Sequence, residues 1–407
     1  MRKALLLFSL FLAKMPFGAY GTSLDEALNK TLNNNLAIKA SMCRSLANKR
    51  EIVNSAVAGI LPQVVYELNI QQNGSTRKTS SSSITLTQPM FNGAAIFNID
   101  KARYLHAAQE ITLAMEKQKT LLSTINAYMS ALTAYEVDKL NEHNLKVMQE
   151  HLVSAEKRFL VGEITKTELA QAKAKLAQAQ SDAMNAKGKL KAIEANYTHI
   201  VGESPEDLQY PKRRLQIPDS LEEALETAKL NNLSLKLSQN LYQASKRDVA
   251  VAVAKKILPS LHVAATESFP GNDIGRSTHR LDVRLRIPIF DHGVGFIDID
   301  RSNRARQQSF YSLHEAAKSI EEAIISAWEG LLSAKFVLRS AKESVKYTEV
   351  ALEAITQEAN LNLKTTLDVL DVEQELLKAK VRLVNSQSNV VVNQYNLLAL
   401  MGQFTFS

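Results

Sequence analysis

Residues 280–290 read RLDVRLRIPIF. Leu281, Val283, Leu285, Ile287 and Ile289 alternate with Arg280, Asp282, Arg284, Arg286 and Pro288. Period-two patterning this strict describes a strand with one face in an apolar medium and the other in water. Three more segments repeat it less cleanly. Val64, Tyr66, Leu68 and Ile70 alternate with Gln63, Val65, Glu67 and Asn69, Ile84 and Leu86 with Ser83, Thr85 and Thr87, and Leu261, Val263 and Ala265 continue the pattern weakly. The expected strands cover about 63–72, 83–91, 260–269 and 279–290, near the length a tilted strand needs to cross a bilayer. The alternation alone fits a soluble α+β domain equally well, with the apolar face on a helix.

The chain is also duplicated. Residues 23–62 and 220–259 align without a gap at an offset of 197, and "SLDEALNKTLNNNLAIKAS" faces "SLEEALETAKLNNLSLKLS". Both copies end in Ile-Leu-Pro, at Pro62 and Pro259. Further on, "QPMFNGAAIFNIDK" faces "IPIFDHGVGFIDIDR", and Thr165 faces Thr365. Fixed-offset similarity of this kind marks a tandem structural repeat. The first repeat covers 22–201, a Pro-bearing linker 202–219 and the second repeat 220–407. Each is expected to hold a helix of about 35 residues ended by its Pro, two strands and a long helical hairpin.

The hairpins follow from missing punctuation, because 407 residues hold only 14 Gly and 9 Pro. Residues 94–161 contain neither, and 68 helical residues span roughly 100 Å at 1.5 Å rise. In the second half Gly330 is the only Gly or Pro between Phe296 and Met401. Leu363, Leu370, Leu377, Val384, Val391 and Leu398 keep a seven-residue spacing, and Val369, Leu376, Leu383, Val390 and Leu397 form a second seam beside it. Two adjacent seams predict helices packed on both sides in a coiled-coil array. Such helices are too long to fold back over a small sheet.

Arg2 and Lys3 precede an apolar stretch, Ala4 to Ala13, and Ala19-Tyr20-Gly21 supplies small residues at the −3 and −1 positions, the pattern of a secretory signal over 1–21. Loss of Arg2, Lys3 and Lys14 takes the net charge from +7 to +4, scattered among acids, which argues against nucleic acid. One cysteine, Cys43, excludes a disulfide framework and is expected to lie at least partly buried on a helix. The eight histidines show no HExxH or other ligand spacing, and there is no phosphate loop or nucleophile elbow. No enzyme activity, metal or cofactor is expected. No apolar run reaches 18 residues, so a membrane would be crossed by strands. Four strands cannot close a barrel that needs at least about eight. Two copies would give a filled barrel and three a twelve-stranded one with an open lumen.

The openings "SLDEAL…NNNL" and "SLEEAL…NNL", the "ILP" stops, "TQPMFNG" (87–93), "RFLVGEITKTELAQAKAKLAQAQ" (158–180) and "TTLDVLDVEQELLKAK" (365–380) resemble the TolC-like outer-membrane efflux family over essentially the whole mature chain. The resemblance implies a homotrimer. Four strands per chain would complete a twelve-stranded barrel in outer-membrane lipid, and long coiled-coil hairpins would form an α-helical barrel across the periplasm. The partners implied are a periplasmic adaptor (membrane fusion) protein and an inner-membrane pump, with drugs, toxins or polypeptides as exports. It places Asp368 and Asp371 at the pore constriction and Thr167, Glu168 and Lys364 at the periplasmic gate. It puts the adaptor-docking hairpin tips at Val161, Gly162 and Glu163 and at Leu361, Asn362 and Leu363. Arg280, Asp282, Arg284 and Arg286 either line the barrel lumen or pair with one another and with Glu67. The sequence departs from the family at Ala359 and Lys364, where an aromatic and an arginine are usual, and at Glu163, usually apolar. A periplasmic coiled-coil protein without a channel is the competing expectation.

Overall fold

The computed structural model describes residues 23–73, 77–211, 215–271, 277–361 and 363–404. Residues 1–21, the expected signal segment, and Asn362 lie outside the described residues. The elements, in chain order, are α1 (Leu24–Asn34), α2 (Leu36–Ile60), β1 (Gln63–Asn73), β2 (Arg77–Asn92), α3 (Gly93–Leu160), α4 (Lys166–Val201), α5 (Leu221–Asn231), α6 (Leu233–Ile257), β3 (Ser260–Pro270), β4 (Thr278–Arg286), α7 (Val294–Asn360) and α8 (Thr366–Leu400). Each repeat thus contributes two shorter helices, two strands and a long hairpin.

The expected 35-residue helices are each broken, after Asn34 and after Asn231. Asn35 and Asn232 adopt extended ψ values, 125° and 128°, and their side chains accept from the backbone N–H groups of Ala37 and Ile38, and of Ser234 and Leu235. Asparagine competes with the helix ladder in this way, so the Asn runs that mark the repeat also start a new helix. Cys43 is exposed on α2 rather than partly buried.

The strands form one antiparallel sheet in the order β1-β2-β3-β4, so the two repeats meet at β2 and β3, and β1 and β4 are its edges. β2 starts six residues before the expected 83, because the serines 80–83 pair with β1 and 81–83 also with β3. β4 ends at Arg286 instead of 290. Pro288 has no N–H to donate, and the chain turns through His292 and Gly293, both at positive φ, into α7. The register sorts the side chains by face. Val64, Leu86, Ala265 and Leu281 share one row of one face, flanked by Tyr66 and Ile84 and by Val263 and Val283. The polar face carries Glu67, Ser83 and Ser268, then Thr85, Thr266 and Arg280, then Thr87, Ala264 and Asp282, and finally His262 with Arg284 and Ser260 with Arg286. Leu281, Val283 and Leu285 are 71%, 66% and 60% exposed. Among the described residues nothing covers this apolar face. Polar residues also lie on it: Ser80 opposite Ile70, Ser82 opposite Leu68 and Gln88 opposite Val263, and, toward the loop end of the sheet, Glu267 with His279 at 3.7 Å.

The described residues divide into two compact units. One contains α1, α4, residues 123–160 of α3, 341–360 of α7 and 366–388 of α8. Its core holds Leu28, Ile125, Tyr128 and Tyr197. The Tyr128 hydroxyl donates to the Gln209 carbonyl at 2.7 Å, pinning the linker to α3. The other contains the sheet, α2, α5, α6 and the remaining parts of α3, α7 and α8. Its core joins Ala224, Ala228, Leu235, Ile320, Ile324, Leu331, Leu397 and Met401. No described helix is long and apolar enough to cross a membrane.

Candidate functional site: the hairpin tips and the polar sheet face

Both long hairpins turn by the same device. In the first, the Gly162 N–H donates to the Phe159 carbonyl at 3.0 Å and the Glu163 N–H to the Arg158 carbonyl at 2.9 Å, with Gly162 at φ +78°. This is a glycine-closed helix end, and Gly162 supplies the left-handed residue expected of it. In the second tip the Leu363 N–H reaches the Glu358 carbonyl at 2.9 Å. Val161, Leu361 and Leu363 are each about 70% exposed, so both tips present bare apolar side chains.

The returning helices start with matched capping boxes. The Thr165 N–H donates to Glu168 Oε2 at 2.7 Å, and the Glu168 N–H donates to Thr165 Oγ1 at 3.2 Å. Thr365 and Asp368 repeat this at 2.9 and 3.2 Å, with Thr365 Oγ1 also donating to Asp368 Oδ2. These bonds hold the Glu168 and Asp368 carboxyls below their usual range; neighbouring Arg158 and Lys364 add to the effect. The pattern T-x-x-E/D ahead of an apolar run is legible in sequence as a helix start, and it gives both acids a local partner.

Asp371 has a partner on another hairpin. Lys175 Nζ of α4 donates to Asp371 Oδ1 at 2.7 Å and to Gln374 Oε1 at 2.8 Å. Of the two acids, Asp371 thus has an ammonium partner, whereas Asp368 is bonded to Thr365. Arg158 bridges the tips, with Nε donating to Glu163 Oε2 at 3.1 Å and Nη1 to Thr366 Oγ1 at 3.1 Å. Under these contacts Met148, Ala179 and Leu370 pack together, and the small Ala179 allows α3, α4 and α8 to approach. Thr167 is exposed, and no ion pair joins Glu168 to Lys364 among the described residues. Arg158, Lys175, His151 and Glu373 were not singled out by sequence reasoning.

His151 of α3 sits 3.2 Å from Glu373 Oε1 of α8, and Glu373 Oε2 is buried without a hydrogen-bond partner. The bond to Glu373 raises the imidazole pKa, opposed by burial and helped by Glu150. A raised folded-state pKa adds stability that is full below the free imidazole value of about 6.5 and is lost as pH rises through the folded value. The midpoint of denaturant unfolding is expected to fall on going from mildly acid to mildly alkaline buffer. His151→Gln is expected to flatten that slope; an unchanged slope would remove this pair as its source.

On the sheet, Arg280 Nε donates to Asp282 Oδ2 at 3.0 Å, the pairing alternative for these two residues. Arg284 and Arg286 lie on the same face with no ion pair among the described residues. No group of three or more His, Cys, Asp or Glu is placed to hold a metal among the described residues.

The outer membrane efflux protein family matches residues 27–203. Outer membrane efflux protein BepC of Brucella suis is 28% identical over 397 residues, covering 95% of this chain and 87% of that one. Outer membrane protein TolC of Escherichia coli is 22% identical, covering 86% and 76%. The solved outer membrane channel CmeC of Campylobacter jejuni superposes with a TM-score of 0.81 at 16% identity, covering 94% of this chain and 87% of that one, which is a shared fold.

Proposed function

We infer that this chain, which belongs to the TolC-like outer-membrane efflux protein family, is the outer-membrane channel of an export machine. The observation that carries this reading is the sheet. Among the described residues one face is largely apolar and bare, the other polar, and neither edge strand has a partner on its outer side. Exposed strand edges invite further pairing, and a bilayer tolerates none. Joining β4 of one copy to β1 of the next satisfies both edges. Three copies give twelve strands around a polar lumen, the smallest closed ring here that leaves a passage. The sequence motifs and relatives are those of a channel and transport family, and no chemistry is required of the chain itself.

The hairpin tips, with Val161, Leu361 and Leu363 exposed beside Gly162 and Glu163, are the proposed docking points for a periplasmic adaptor that couples the duct to an inner-membrane pump. Asn362, proposed for the same role, lies outside the described residues. The proposed constriction is Asp368 and Asp371; Thr167, Glu168 and Lys364 are its proposed gate. Arg158, Lys175 and His151 hold α3 and α4 to α8 beside them.

Reconstitution into planar bilayers tests the reading. The purified protein is expected to open discrete pores. Asp368→Asn with Asp371→Asn is expected to lower cation preference, since rings of acids select cations and Asn still accepts the cap bond. Lys175→Gln is expected to shift preference the other way, by removing the counter-ion of Asp371. Absence of pores would favour the non-channel coiled-coil alternative. Pores whose selectivity ignores all three changes would remove these residues from the lumen.

A further inference from the structure

We propose that Arg284 and Arg286 form a basic collar inside the barrel that binds multivalent anions and favours anionic cargo, an inference that rests on the channel reading above. The two guanidinium groups stand on the polar face of β4, in the rows of His262 and Ser260, at the end of the sheet where β4 leads to α7 and α6 leads to β3. Polar-face residues of this sheet look into the passage once the apolar face meets lipid. Arginine is the side chain suited to carboxylates and phosphates, because its planar fork donates two parallel hydrogen bonds to an oxyanion.

The charge inventory of that face supports a positive collar. Its charged strand residues with described side chains are Arg280, Arg284 and Arg286 against Asp282 and Glu67. Arg280 is already engaged by Asp282. Glu67 lies in the row of Ser83, Ser268 and Thr278, six residues along the strand from Arg284. Six residues at about 3.4 Å is roughly 20 Å, beyond the screening length of about 8 Å at physiological salt. Each chain therefore brings two uncompensated cations to two successive rows of that face, and three copies bring six. The proposed acidic constriction has the opposite arrangement, with Asp368 held in a cap and Asp371 neutralised by Lys175. On this inventory the strand end is the more strongly charged ring, and its sign is positive.

Citrate, a trivalent carboxylate, is a suitable probe in single-channel recordings. It is expected to block the parental channel reversibly. Arg284→Gln with Arg286→Gln is expected to weaken block by about tenfold, as the loss of six exposed charge contacts would, and to move the reversal potential in asymmetric KCl toward cation preference. Arg284→Lys with Arg286→Lys keeps the charge and should keep the ion preference while losing part of the citrate block. Asp282→Asn removes the nearest acid and should strengthen block, so it carries the test if the Gln pair does not assemble. The proposal is overturned if normal pores show the same selectivity and citrate block in all variants. That result would follow if ring closure laid β1, with Glu67, against this end of β4, and it would leave the channel reading standing. A parental protein that opens no pores would overturn the channel reading itself, and the collar with it.

Discussion

Leu281→Arg is expected to abolish the stable oligomer and its recovery in outer-membrane fractions. Leu281 lies in the row of Val64, Leu86 and Ala265, the one level at which all four strands are apolar on the same side. If hydrocarbon touches that row, each arginine costs about 2–4 kcal/mol near the bilayer midplane, and three copies roughly 6–12 kcal/mol. Ser83→Lys is the matched control. Ser83 lies on the polar face of the same sheet, in the row of Glu67, so a lysine there meets water and an acid. It is expected to assemble normally. Electrophoresis without heating, together with membrane fractionation, reads both. A soluble domain with this face on a helix would fail similarly in the core but would not depend on lipid. Recovery of the Leu281→Arg oligomer at the parental level would remove the bilayer from the account.

Gly402→Ala is the second large expected effect, with Gly202→Ala as its internal comparison. The two glycines close α8 and α4, 200 residues apart, at φ +70° and +94°. A methyl group at 202 would meet nothing within 4 Å, whereas at 402 it would overlap the Asn231 carbonyl, a backbone group that cannot swing aside. Asn232 beside it donates to the Leu400 carbonyl at 2.7 Å while capping α6, so this corner is fixed from both sides. Left-handed strain alone costs about 1–2 kcal/mol, which is the expectation for Gly202→Ala. Overlap with fixed backbone adds about 1–3 kcal/mol at 402, for a total of roughly 2–5 kcal/mol. Denaturant titrations of the two variants should separate clearly. Equal midpoints would show that the α8 terminus does not lie against Asn231.

The residues that fixed the architecture in advance were those with local or periodic signals. RLDVRLRIPIF revealed its two faces because strand side chains alternate whatever their partners. The Gly-free stretch 94–161 became α3, Gly93–Leu160, because nothing in it could stop a helix. Gly162 reported its turn through a conformation that other residues resist. Local signals were also overlooked. The breaks at Asn35 and Asn232 and the boxes at Thr165 and Thr365 follow from short side chains that compete for backbone donors within three residues. Other contacts were beyond the sequence. His151 with Glu373, and Lys175 with Asp371, join residues separated by 222 and 196 positions. Their meeting depends on how α8 is rotated against the α3–α4 hairpin, and heptad spacing gives the seam without the partner. The same holds for the charge of the sheet face: three arginines were visible, but the Arg280 to Asp282 bond and the distance from Glu67 needed the register.

The number of chains in the particle extracted from membranes bears most directly on all of this, and native mass spectrometry from detergent micelles measures it. The proposed twelve-stranded barrel predicts three copies of about 45 kDa, less the mass of the expected signal segment, released only with detergent. A stable single chain in detergent-free buffer would contradict the pore, its gate and its basic collar together.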